Sequence, residues 1–252
     1  MADKPIIWSY GGGTQSAAIA VLVARGELPR PERIVIADTG REATETWEYT
    51  DQVIGPLLGA AGLTVDVIPH EYATVDLYSK QGDLLIPAVT KGGRLPTFCS
   101  VEWKQRPVRR YLRSQGYGPS RPVIMWLGIS IEEVHRIKPA DVNWIEHQWP
   151  LAWDIRMNRA DCVALVEGAG LPTPPRSSCW MCPHRSNAEW RRLRDHYSGD
   201  WDKAIALDEQ IRQKDTRGGL WLHRQRVPLT AAGLNDENVG LFDGCESGYC
   251  WA

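Results

Sequence analysis

Phenylalanine is nearly missing from this chain: two residues in 252, with four methionines, against twelve tryptophans. The tryptophans are expected to serve as large core residues. Also missing is any apolar run near the roughly twenty residues that a membrane-spanning helix requires. Pro5 to Trp8 already reads as a strand, so the start of the chain does not look like a signal peptide. The expectation is a cytoplasmic protein with no membrane partner. No excess of charge stands out either, at 29 basic and 31 acidic residues for a net charge of −2. That balance hides one basic stretch from Lys80 to Arg113, suited to a polyanion or to a solvated helix face. Cysteine is present six times, at uneven spacing, which in an intracellular chain favours metal or redox chemistry over structural disulfides.

Residues 8–16 read Trp-Ser-Tyr-Gly-Gly-Gly-Thr-Gln-Ser, between a short apolar run and the apolar stretch Ala17 to Ala24. Strand, glycine-rich turn and helix start together make an anion site. Amide N–H groups point inward there, and the helix dipole favours negative charge. Ser9, Thr14 and Ser16 add hydroxyls beside Gly11, Gly12, Gly13 and Gln15. A Walker loop needs a lysine after its last glycine, where this chain has Thr14-Gln15. Three consecutive glycines without a fourth also fail the dinucleotide fingerprint. A phosphate is expected here, held by neither of those two motifs.

Strand-like and helical stretches alternate as in a parallel sheet covered by helices. The expected strands are Pro5–Trp8, Arg33–Ala37, Thr64–Ile68 and Pro122–Leu127. Thr46 to Ala61 reads as helix, with Trp47, Ile54, Leu57, Leu58 and Ala61 on one side and an interruption at Gly55-Pro56. Regular alternation fades after about residue 128. Leu171 to Pro175 is an extended connector leading to Ser178-Cys179-Trp180-Met181-Cys182. Helical patterns follow at Ala188–His196 and Trp201–Lys214. Asp38-Thr39-Gly40, at the end of the second strand, would converge with the glycine loop on one nucleotide; capping of the next segment is the plainer role for Asp38.

Several blocks now match one family in order. The loop resembles the S-x-G-G-x-x-S loop of the PP-loop superfamily. Asp38-Thr39-Gly40 with Glu45-Thr46-Trp47, Cys99 through Lys104, Arg106 and Pro107, Gly128-Ile129-Ser130 through Glu133 and Arg136, and Trp149-Pro150-Leu151 resemble the phosphoadenosine-phosphosulfate reductase-like branch. The resemblance implies an α/β, parallel-sheet, Rossmann-like domain of the adenine nucleotide alpha hydrolase type over residues 1–150. A cysteine-containing region, residues 151–252, would pack on it. It also implies ATP with Mg²⁺ as the ligand and pyrophosphate release. Sulfur would then pass to an acceptor, with nucleic acid (DNA phosphorothioation or RNA thiolation) expected and a cysteine desulfurase as donor. Asp38, Lys104, Arg106 and Arg136 would carry the catalytic and charge-stabilising roles. The tail lacks the reductases' Cys-Gly-x-His ending and has Cys245 and Cys250 instead.

Cys179-x-x-Cys182 is a half-site for zinc or an iron–sulfur cluster, or a redox dithiol. Family order brings Cys99 alongside, and Cys250 or Cys245 is the candidate fourth ligand. A [4Fe-4S] cluster is the first expectation and zinc the alternative. Cys162, among Val163, Leu165 and Val166, reads as a buried thiol, and His184 as a substitute ligand at most. Two further functions stay open: a thiol-dependent sulfonucleotide reductase, and a non-catalytic nucleotide-binding subunit with a zinc-stapled tail.

Overall fold

The computed structural model describes residues 4–68, 76–215 and 219–235. Five parallel strands make the main sheet: β1 (Ile6–Ser9), β2 (Arg33–Ala37), β3 (Val65–Ile68), β6 (Val123–Leu127) and β7 (Ile145–Gln148). Their order is β3-β2-β1-β6-β7. The chain therefore steps outward from β1 in one direction and returns to its other side with β6. This is a Rossmann-like α/β arrangement, and the reversal between β1 and β6 opens the crevice where such sheets take ligands. β4 (Val89–Thr90) and β5 (Gly93–Arg94) form a separate two-residue hairpin.

The strand β7 is a correction to the expectation that alternation ends near residue 128. Ile145 and His147 are buried while Glu146 is exposed, as suits an edge strand with one face in water.

Helix α1 (Thr14–Ala24) is buried from Thr14 to Val23, which explains why its apolar residues show no preferred face. It shares one core cluster with the sheet's Trp8, Ile34, Ile36 and Trp126, and packs against α6 (Arg159–Gly168) and α3 (Gly55–Ala60). It stops at Gly26, which adopts φ +73°; its N–H donates to Val23 O, and Glu27 N–H donates to Leu22 O.

The stretch expected as one interrupted helix is α2 (Thr44–Tyr49), a π-helical turn (Thr50–Ile54) and α3. Pro56 has no N–H to continue a regular ladder. The wider turn absorbs this just upstream, with Gly55 N–H donating to Thr50 O. Its expected apolar side holds, since Ile54 and Leu58 are buried and Trp47, Leu57 and Ala61 pack beside them.

Tryptophan fills the core in place of phenylalanine. Trp8, Trp103 and Trp190 are among the largest fully buried side chains. Truncating any one to alanine should cost about 3–5 kcal/mol. Cys162 is fully buried in the first cluster, as expected of a small apolar thiol. A second cluster joins Leu77 to Trp103 with Met181, α7 (Asn187–His196) and α8 (Ser198–Lys214). Capping boxes start α6 (Asn158 with Asp161) and α7 (Ser186 with Glu189).

Candidate nucleotide and cysteine site

The glycine loop leaves β1 at Ser9 and enters α1 at Thr14, on the carboxyl edge of the sheet. No side chain caps α1, whose N-cap is Gly13, so its first-turn amides are available to an anion. Inside the loop Gly11 N–H donates to Ser16 Oγ at 2.9 Å, which closes the turn. Thr14 is 1% exposed and its Oγ1 has no partner among the described residues.

Gly12 and Gly13 are glycines for a reason beyond ligand approach. Gly12 has φ +73°, and a Cβ there would sit 2.4 Å from Thr46 Cγ2. A Cβ on Gly13 would lie 2.9 Å from Ser177 Oγ and 3.0 Å from Ser177 N. The missing side chains admit α2 on one side and the cysteine-bearing segment on the other.

Across the crevice, Gln15 Nε2 donates to Ser130 Oγ at 3.2 Å and to Glu133 Oε2 at 2.9 Å. Gly128 permits this approach, because a Cβ there would meet Gln15 Cβ at 3.3 Å. Glu133 in turn pairs with Arg136, whose side chain is 7% exposed and whose Nε is buried without a partner among the described residues. Arg136 is thus joined to the glycine loop through Glu133 and Gln15. Asp38 and Thr39 shape their own turn: Gly40 N–H donates to Asp38 Oδ1 at 2.7 Å, and Arg41 N–H to Thr39 Oγ1 at 3.1 Å. Asp38 does not cap the next helix: α2 begins at Thr44 with Ala43 as its N-cap and no side-chain cap.

On the β2 side a small pocket is lined by Ser9, Tyr10, Gly11 and Ala37 above Glu42 and Lys104. Lys104 Nζ lies 2.8 Å from Glu42 Oε1. Cys179 Sγ is 3.9 Å from the same oxygen. Glu42 is 7% exposed, and its second oxygen has no partner among the described residues. Backbone pairing fixes this junction, with Ala43 N–H donating to Ser178 O at 3.1 Å and Trp180 N–H to Arg41 O at 2.9 Å. A larger cleft of about 530 Å³ opens at the opposite edge of the sheet. Its arginines are engaged, Arg33 with Asp66 and Arg30 with backbone carbonyls, and it lies far from the glycine loop's edge.

Cys99, Cys179 and Cys182 share one neighbourhood, since the three thiols act on one another electrostatically. Burial pushes the Cys99 thiol up to about 12, with Cys182 adding to the rise and Lys104 opposing it. Burial, then Glu42, pushes Cys179 well above the ordinary thiol value. Lys104, Arg41 and Arg185 are the surrounding cations. Arg41 stacks on Trp103 at 4.8 Å, and Arg185 Nε donates to Cys179 O at 3.0 Å. Burial lowers both guanidinium values, and the nearby cysteines act to raise them. Among the described residues, no three His, Cys, Asp or Glu side chains converge closely enough to hold one metal ion. The three thiols therefore stand together among cations without closing on a single-metal site among the described residues. Cys245 and Cys250 lie outside the described residues, and His184 is buried two residues past Cys182.

Arg106 is not in this pocket; its side chain is half exposed and pairs with Glu102 at 2.5 Å on its own helical segment. Along α4 (Arg106–Ser114), Val108 and Leu112 face the core. Arg109 pairs with Asp141, and Arg113 stacks on Trp144 at 5.9 Å. Glu42, Arg41 and Arg185 were not legible as site residues. Their one signal is adjacency, Arg41-Glu42 to the Asp38-Thr39-Gly40 block and Arg185 to the Cys-x-x-Cys. No protein-family model matches the chain, and no curated protein matches it at a significant level.

Proposed function

We propose that the protein is a PP-loop enzyme of the phosphoadenosine-phosphosulfate reductase-like branch. It would activate an acceptor with ATP, release pyrophosphate and transfer sulfur, with a nucleic acid as the favoured acceptor. The observation that carries this reading is the junction of Lys104, Glu42 and Cys179 beside the uncapped start of α1. One pocket edge thus offers an anion cradle and a thiol cluster together.

The chemistry divides between the two halves. The loop amides and Thr14 would hold the β- and γ-phosphates, whose charge Mg²⁺ would help to neutralise. An acceptor oxygen attacks the α-phosphorus, the bond to the β-phosphate oxygen breaks, and pyrophosphate leaves. Lys104 stabilises negative charge developing on that phosphoryl group, and Arg136 stiffens the loop through Glu133 and Gln15. A sulfur nucleophile then displaces AMP from the acceptor. An iron–sulfur cluster on Cys99, Cys179 and Cys182 would supply or hold that sulfur.

The test is transfer of labelled sulfur. Anaerobically purified protein, ATP, Mg²⁺, a cysteine desulfurase with labelled cysteine, and DNA or tRNA should give label in the nucleic acid only when ATP is present. Sulfite from phosphoadenosine phosphosulfate without ATP would make the protein a sulfonucleotide reductase instead. ATP binding with neither outcome would leave the non-catalytic subunit.

A further inference from the structure

The contact between Gly13 and Ser177 joins the two halves of the site physically. Ser177 stands immediately ahead of Ser178 and Cys179, and its Oγ and N lie 2.9 and 3.0 Å from where a Gly13 Cβ would be. Among the described residues neither its N–H nor its hydroxyl has a hydrogen-bond partner. Around the same seam the hydroxyls of Thr14, Thr46 and Ser178 are buried, also without partners among the described residues. Thr46 abuts Gly12 as Ser177 abuts Gly13. Buried donors in such number call for an acceptor. An anion seated at the start of α1 supplies several oxygens at once.

We infer that Ser177 is a ligand of the pyrophosphate moiety, and that the segment Ser177–Cys179 forms the second wall of the anion cradle. This rests on the nucleotide reading above and adds a consequence to it. The segment is pinned on its far side by Ala43 N–H to Ser178 O and by Trp180 N–H to Arg41 O. Phosphate oxygens bridging the loop to Ser177 would fix its near side too. Occupancy of the glycine loop is then coupled to the order and placement of Cys179, 3.9 Å from Glu42. By reciprocity, a change that frees the segment weakens binding of the anion.

Hydrogen exchange read by mass spectrometry on the full chain tests this, with and without three probes: ATP with Mg²⁺, pyrophosphate alone, and adenosine alone. ATP and pyrophosphate should each slow exchange in the first turn of α1 and across residues 177–180; adenosine should leave 177–180 unchanged. By calorimetry, Ser177→Ala should bind ATP roughly ten-fold more weakly, as expected for loss of a hydrogen bond to a charged group. Gly13→Ala is a second probe. At φ −114° the backbone accepts alanine, so its Cβ acts only as a wedge against Ser177. It should abolish protection at 177–180 while α1 remains protected. Protection confined to α1 in the wild type, with Ser177→Ala binding as tightly as wild type, overturns the inference and leaves the nucleotide reading standing. No binding and no protection anywhere contradicts that reading, and the inference with it.

Discussion

Lys104 and Glu42 form an ion pair of 2.8 Å between two segments 62 positions apart, and the pair carries very unequal exposure: 23% for the lysine side chain and 2% for the glutamate. A carboxylate that deep is tolerated because the ammonium meets it. Lys104→Ala leaves Glu42 buried beside Cys179 with no counter-charge, and should cost about 2 kcal/mol of stability. Glu42→Gln removes the charge and keeps the shape, so it should cost less. Denaturant unfolding of the two variants checks the order; equal losses would mean the pair has no special dependence on its lysine.

The two arginines assigned to charge stabilisation should separate. Arg106, half exposed and paired within one helical stretch, should change stability by no more than ~0.5 kcal/mol when replaced by alanine. Arg136 is buried against Glu133, which also holds Gln15 of the loop. Arg136→Ala should lose about 2 kcal/mol of stability and weaken ATP binding as well. Calorimetric titration of both variants decides it. An Arg106 variant that binds ATP poorly would contradict this placement.

Cysteine substitutions should divide the same way. Anaerobically prepared wild type should carry iron and acid-labile sulfide, and Cys99→Ser, Cys179→Ser or Cys182→Ser should each lower both strongly. Cys162 is fully buried beside α1 and away from these thiols. Cys162→Ala should keep the iron content and lose only packing energy. Stoichiometric zinc without iron would replace the cluster with the metal alternative.

Acid should weaken the fold through buried histidine. Burial pushes His223 down to about 4 from its ordinary 6.5, and its Nε2 meets Asn187 Oδ1 at 3.0 Å. Below pH 6.5 the unfolded chain gains a proton that the folded imidazole refuses. The stability is therefore full above about 6.5 and falls as pH drops towards 4. His147, also lowered chiefly by burial, acts in the same direction. Melting temperatures across this range should fall, and His223→Gln should flatten the slope. An unchanged slope would remove His223 from the account.

Sheet and loop were legible because their signals are local. Ile6-Ile7-Trp8 and Ile34 to Ala37 are apolar runs, and Gly11-Gly12-Gly13 ahead of Ala17 to Ala24 marks the turn into a buried helix. Ile145 to Gln148 was not legible, because an edge strand with Glu146 in water offers too short an alternation to stand out. Glu42 was missed for a different reason. Its role arises from Lys104 and Cys179, far away in sequence, and nothing in its neighbours records them. The glycines read as a turn whose amides face an anion; within the fold they also admit Thr46 and Ser177. Such packing between distant segments leaves no periodicity behind.

A glycine loop that directs chemistry to the α-phosphorus, as proposed, reveals itself in which phosphate bond of ATP breaks. ATP carrying separate labels on the α- and γ-phosphates, incubated with the protein, Mg²⁺, sulfur donor and nucleic acid, should yield α-labelled AMP and γ-labelled pyrophosphate in equal amounts. Labelled ADP with inorganic phosphate, or unchanged ATP in the complete mixture, would rule out cleavage at the α-phosphorus.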